Sequence, residues 1–181
     1  MTGRAVRTKN RHKDAIGQPR PSRSLPKGVR LSHARVRVRD LNRAIDFYSH
    51  ILGLHLTERV GDSFAFLSCD SAHHQIALQA VPKGSRRGGL GPGSVDHLAF
   101  EVRTERDLAR IYRRLVTAKT SVQPVDNGIS WALYFEDPDR TRLEVYVDRR
   151  MLPGGRKLWR GRVRPISTRT LSRLLMVSRK S

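Results

Sequence analysis

Long apolar runs are missing from these 181 residues. No stretch of 18 or more apolar residues occurs, so no membrane-spanning helix is expected. The first residues are charged throughout and lack the apolar centre of a signal peptide. They are Arg-rich and acid-poor, as transit peptides are, but poor in serine and without a helical apolar face. A cytoplasmic location is therefore expected. Cysteine is nearly absent. Cys69 alone excludes an internal disulfide framework and fits a reducing compartment. Acids are scarce too: 16 Asp and Glu stand against 36 Lys and Arg, for a formal charge of +20.

That charge is unevenly placed. Residues 1–30 carry nine Lys/Arg and one acid, and residues 149–181 carry eleven and none. The 118 residues between them carry sixteen Lys/Arg and fifteen acids, the balance of an ordinary globular domain. Residues 1–30 hold three prolines and few large apolar side chains, too little to offset the entropy of ordering, so a disordered basic arm is expected. After Asp148 the breaker Pro153-Gly154-Gly155 opens a second basic tail, also expected to be disordered, in which Thr168–Val177 could form a short amphipathic helix. Such arms could hold nucleic acid or an anionic surface. Solvated tails without a role are the plainer reading, because no nucleic-acid motif appears and Trp159 is the tail's only aromatic residue.

The centre, 31–148, repeats itself. Leu31–Val38 alternates as a strand, with Leu31, His33, Arg35 and Arg37 on one face. Asp40 is placed to cap a helix over Leu41–Leu52, whose apolar residues recur at helical spacing, and Gly53 can close it. Three strands are expected next, His55–Val60, Ser63–Ser68 and His73–Val81. A Gly/Pro-rich linker, Pro82–Ser94, follows, and the pattern restarts. Val95–Val102 is a strand, Thr104 caps a helix over Glu105–Ala118, and Ser121–Val125, Ser130–Glu136 and Arg142–Val147 are strands. Two βαβββ modules, 31–81 and 95–148, are thus expected. Each is too small to stand alone, so the fold class is α+β, with paired mixed sheets forming a cup.

His33 and His97 each occupy the third position of a module's opening strand, so a pseudo-twofold would turn both into the cup. Glu144 lies on the last strand, sharing its face with Arg142 and Tyr146. Two histidines and one carboxylate from separate strands make a facial triad that leaves three coordination positions open and suits Fe(II) or Mn(II) oxygen chemistry. A single strand histidine is more often a satisfied core residue, but two at matched positions weigh against chance.

The segments SHARVRVRDLNRAIDFYSHILGL, VDHLAFEV and WALYFEDPDRTRLEVYVD resemble the vicinal oxygen chelate superfamily. It includes glyoxalases, bleomycin- and fosfomycin-resistance proteins and extradiol dioxygenases. The resemblance spans about residues 31–148 and neither arm. It implies that His33, His97 and Glu144 hold one metal, Fe(II) with Mn(II) as the alternative. Aligning the modules on Phe66 and Tyr134 sets Ile76 opposite Glu144, so no fourth protein ligand of the glyoxalase I kind is expected.

The stretch Ala72-His73-His74-Gln75-Ile76-Ala77-Leu78 resembles the extradiol strand whose histidine acts as acid–base, which implies that role for His74. His73 is expected on the opposite face. Tyr134, ten residues before Glu144, matches the tyrosine that hydrogen-bonds the bound substrate. The sequence departs from the pattern at Asp126-Asn127-Gly128-Ile129-Ser130, where relatives often read Asp-His-Gly-Val-Ser. Asn127 can bind substrate by donating a hydrogen bond, but it cannot shuttle a proton. No role is assigned to His50 or His55. The implied activity is ring cleavage of a catechol-like substrate by dioxygen, in a chain that could be a homodimer. A metal-dependent thiol transferase, a ligand-sequestering module and a basic-armed scaffold are the alternatives.

Overall fold

Two βαβββ modules follow each other along the chain, as the repeat implies. The structure is a computed structural model, and it describes residues 31–85, 94–158 and 161–176. The N-terminal arm, linker residues 86–93 and Trp159 lie outside the described residues. The first module runs β1 (Ala34–Val38), α1 (Leu41–Phe47, continuing as a π-helical turn over Tyr48–Leu52), β2 (His55–Val60), β3 (Phe64–Ser68) and β4 (Ile76–Ala80). The second runs β5 (Leu98–Glu101), α2 (Glu105–Thr117), β6 (Val122–Asp126), β7 (Ser130–Glu136) and β8 (Arg142–Asp148).

Local chemistry sets these boundaries. The Asp40 carboxylate accepts the backbone N–H of Arg43 at 3.0 Å, capping α1. Gly53 ends the helical run in the left-handed region, at φ 78°. Thr104 caps α2 by accepting the Asp107 N–H at 3.1 Å. Strand alternation then divides each sheet. Val36, Val38, Leu67 and Leu78 in the first sheet, and Leu133, Leu143 and Val145 in the second, face one core that also holds Tyr48, Leu108 and Leu115 from the helices. The opposite faces carry the polar side chains.

The sheets are mixed. Their orders are β1-β4-β3-β2 and β5-β8-β7-β6-β9, where β9 is the short strand Arg164–Pro165, with β1 parallel to β4 and β5 parallel to β8. Neither closes into a barrel, and β1 and β5 are both edges.

The modules are stapled by the Asp137-Pro138-Asp139 turn between β7 and β8. Asp137 accepts the N–H groups of Asp139 and Thr141 at 2.9 and 2.7 Å, and the buried Tyr48 hydroxyl donates to its other oxygen at 3.1 Å. Asp139 accepts the Arg39 backbone N–H at 3.0 Å and its guanidinium at 3.3 Å. The exit of β1 and the end of α1 are thereby fixed to the second module.

Past Asp148 the chain departs from the loose tail expected of it. Arg164–Pro165 forms β9 against β6, and Thr168–Met176 forms α3, with Ile166 and Leu171 buried. The short helix expected over Thr168–Val177 is present as Thr168–Met176, while the disorder expected of the rest of the basic tail is corrected for the residues that pack with it. High charge and a Pro-Gly-Gly break suggested disorder, yet Ile166, Leu171, Leu174 and Leu175 provide an apolar face for α2 to cover. Composition averaged over the segment hides that face.

Candidate metal centre

His97 sits one residue ahead of β5, and Glu144 is the third residue of β8. The parallel pairing of β5 with β8 brings them together, with His97 Nε2 lying 2.9 Å from Glu144 Oε2. The other ring nitrogen, Nδ1, is 2.8 Å from Asp96 Oδ2. Asp96 is also held by the Arg142 guanidinium at 2.6 Å. Its carboxyl is kept below the usual range, chiefly by the hydrogen bond to His97 and also by Arg142. A neutral imidazole has one N–H and can donate to only one of these two carboxylates. A cation between Nε2 and Glu144 would satisfy both, with Asp96 fixing the tautomer from behind. The donor chemistry therefore fits a metal ion at His97 and Glu144.

Tyr134 on β7 stands opposite Glu144 in the sheet register and donates its hydroxyl to Glu144 Oε1 at 3.0 Å. Its ring meets that of His97 edge-on, with centroids 5.9 Å apart. Burial, aided by the Glu144 charge, raises the Tyr134 hydroxyl above its ordinary value, although a hydrogen bond from Asn127 opposes the shift. Asn127 also donates to Ser130 at 3.3 Å. Tyr134, Glu144, Asn127 and Ser130 open on a cleft of about 470 Å³ that Glu101, Tyr146 and Ile129 help to line.

His33 lies elsewhere. It precedes β1, accepts from or donates to Ser32 Oγ at 3.2 Å, and packs against His74 with ring centroids 4.7 Å apart. His74 in turn lies 4.9 Å from the Phe66 ring. Partial burial, then the neighbouring His33 and His73, lower the His74 pKa from its ordinary value. His73 does not turn away as strand alternation suggested. Its Nδ1 is 2.7 Å from His74 Nδ1, its Nε2 is 2.9 Å from Glu58, and its ring is 5.2 Å from Phe66. The reason is local: β4 starts only at Ile76, so residues 73 and 74 belong to a bend.

One chain thus joins His97, Glu144, Tyr134 and Asn127, and separately joins His33 with His74. Among the described residues no set of three His, Cys, Asp or Glu side chains is placed to hold a metal ion. The register also moves the mate of Glu144 by one residue. Phe66 pairs with Ala77 as Tyr134 pairs with Glu144, so Ala77, not Ile76, holds the matching position. Ala77 offers no ligand either. The sequence reading passed over Asp96, although a carboxylate directly before a candidate ligand histidine was a usable signal.

Residues 30–145 match the family described as the Glyoxalase/Bleomycin resistance protein/Dioxygenase superfamily. The chain belongs to that superfamily. Within the superfamily it is 28% identical to biphenyl-2,3-diol 1,2-dioxygenase 2 of Rhodococcus globerulus, over 57% of this chain and 54% of that one. It is also 28% identical to glutathione transferase FosA of Serratia marcescens, over 65% of this chain and 79% of that one. Of the dioxygenase, then, the chain spans about half the length. Among solved superfamily structures, a glyoxylase/bleomycin resistance protein/dioxygenase domain from Frankia sp. EAN1pec superimposes with TM-score 0.59 at 30% identity, covering 70% of this chain and all of that one.

Proposed function

We propose that this chain is a metal-dependent ring-cleaving dioxygenase for a catechol-like aromatic, its metal held by His97 and Glu144 of one copy and His33 of a second. The carrying observation is the His97–Glu144–Tyr134 contact, a pair of metal donors with a hydroxyl donor aimed at one of them. The second copy is invoked because one chain supplies only two donors at one place. Both β1 and β5 are edges, and two copies can set β1 of one beside β5 of the other. The polar faces suit that pairing in charge. The first sheet presents His33, Arg35 and Arg37 with one acid, Glu58, and the second presents Glu101, Glu144 and Asp148 with one cation, Arg142.

Iron bound there would supply Lewis acidity to the paired hydroxyls of a catechol and an electron path to dioxygen. The chain's own groups do the rest. Tyr134, kept protonated by its raised pKa, can turn its O–H from Glu144 to a substrate oxygen. His74, kept neutral by its lowered pKa, would arrive beside His33 and accept the proton that a catechol hydroxyl gives up. Asn127 steadies Tyr134 and can donate to substrate.

Anaerobic loading with Fe(II), then oxygen and a panel of catechols, tests the proposal. A yellow ring-fission product that disappears in His74→Ala supports it. Metal retention with no product from any catechol contradicts the dioxygenase assignment. A second reading, a metal-dependent thiol transferase, is favoured by one observation: the match covers 79% of FosA against 54% of the dioxygenase. In that case His74→Ala leaves turnover intact.

A further inference from the structure

Residues 149–181 contain nine arginines, two lysines and no acid. The described part of this segment is anchored. Val125 pairs with Pro165 and Asp126 with Arg164, and the Ile166 N–H donates to Pro124 O at 3.1 Å. Leu171 is fully buried where α3 packs on α2. Arg149 and Arg150 are neutralised within the domain by Glu105 and Asp148. Arg156, Lys157, Arg162, Arg164, Arg169 and Arg173 are exposed, and none has an acidic partner among the described residues. On α3, Arg169 and Arg173 lie one turn apart on the side away from Leu171. Arg164 lies on β9 and Arg169 and Arg173 on α3, while Arg156, Lys157 and Arg162 lie on the segment leading to them, so six cations without an ion pair follow one another along a stretch that is folded onto the domain.

We infer that this surface binds the phosphate backbone of nucleic acid without regard to sequence. The chemistry favours phosphate because the cations are nearly all guanidiniums, whose forked donors match paired phosphate oxygens. A lipid surface fits less well. The apolar side of α3, Leu171 with Leu174 and Leu175, is spent on packing inside the protein. The exposed apolar residues nearby, Met151, Leu152, Leu158, Val163 and, alone on α3, Met176, are scattered rather than gathered on one helix face, so they make no insertion surface. With most of the six cations on phosphates, log K should fall against log salt with a slope of about −5.

The test uses the full chain, a short fluorescein-labelled DNA duplex and a salt series through about 0.15 M. The comparison variant changes Arg156, Lys157, Arg162, Arg164, Arg169 and Arg173 to Gln, and a second changes the five arginines to Lys. Expected are micromolar or tighter binding near 0.15 M salt, a loss of about 100-fold or more in the Gln variant with a flatter salt slope, and recovery of most binding in the Lys variant. The basic segment 1–30 is common to all three proteins, so its contribution cancels. Unchanged binding in the Gln variant, with far-UV circular dichroism as in the parent, overturns the inference. So does binding to vesicles of phosphatidylserine and phosphatidylcholine without binding to the duplex.

Discussion

His97 stands between two carboxylates, and this fixes what its neighbours can do. Asp96 holds Nδ1 at 2.8 Å and leaves Nε2 facing Glu144. Asp96→Asn removes the charge behind the ligand while keeping its size. Metal affinity is expected to fall by about 10–100-fold, read by competition with a chromophoric chelator. Affinity as in the parent would remove Asp96 from the site. The candidate positions were legible in the sequence, because His33 and His97 repeat at matched places and Glu144 sits on an alternating strand; the structure brings His97 and Glu144 together and leaves His33 beside His74. Asp96 was signalled only by its place before His97, and its task was not legible, because that depends on which way a ring nitrogen points. The mate of Glu144 slipped by one residue for a related reason. The bend at Cys69–Gln75 is longer than the turn between β7 and β8, and ungapped counting along the repeat cannot sense it.

At the scale of elements, the same periodicity that announced the helices and strands missed what joins them. No pattern in the sequence pairs Tyr48 with Asp137, 89 residues apart, yet this contact ties α1 to the β7–β8 turn. Burial, with the neighbouring Asp137 charge second, raises the Tyr48 hydroxyl well above its ordinary value. A raised folded-state pKa gives stability that is complete below the unfolded value of about 10 and is lost as pH climbs through the folded one. Tyr48→Phe is thus expected to cost about 1 kcal/mol at neutral pH and to show a shallower fall in stability above pH about 10. Urea melts at both pH values decide it, and parallel curves for the two proteins would contradict it. Asp137 works in the opposite region. Burial raises its pKa, so its contribution is present at low pH and declines as pH rises through the folded value.

The C-terminal segment makes the same point about composition. Its charge suggested a tail, while Leu171, Leu174 and Leu175 at helical spacing, with Ile166 just ahead of α3, fold it onto the domain. Leu171→Ala should destabilise the protein by about 2–5 kcal/mol, as for a fully buried leucine. A thermal melt unchanged by the substitution would mean that α3 contributes nothing to the fold.

For the whole molecule, one chain divides the donor set. His97 and Glu144 meet, His33 keeps company with His74, and the charges of the two polar faces are complementary. Residue patterns predicted the cup but not which chain supplies its halves, since a pseudo-twofold within one chain and a true twofold between two copies demand the same repeats. Mixing distinguishes them. His33→Ala and Glu144→Ala are each expected to bind little metal. Unfolded together and refolded, they should form mixed dimers in which one of the two sites draws intact His33 from one copy and intact His97 and Glu144 from the other, restoring metal to about a quarter of all sites. Native mass spectrometry can establish that the copies have mixed. Recovery near that fraction is the result predicted here, and mixed dimers that hold no more metal than either variant alone would contradict a site built from two copies.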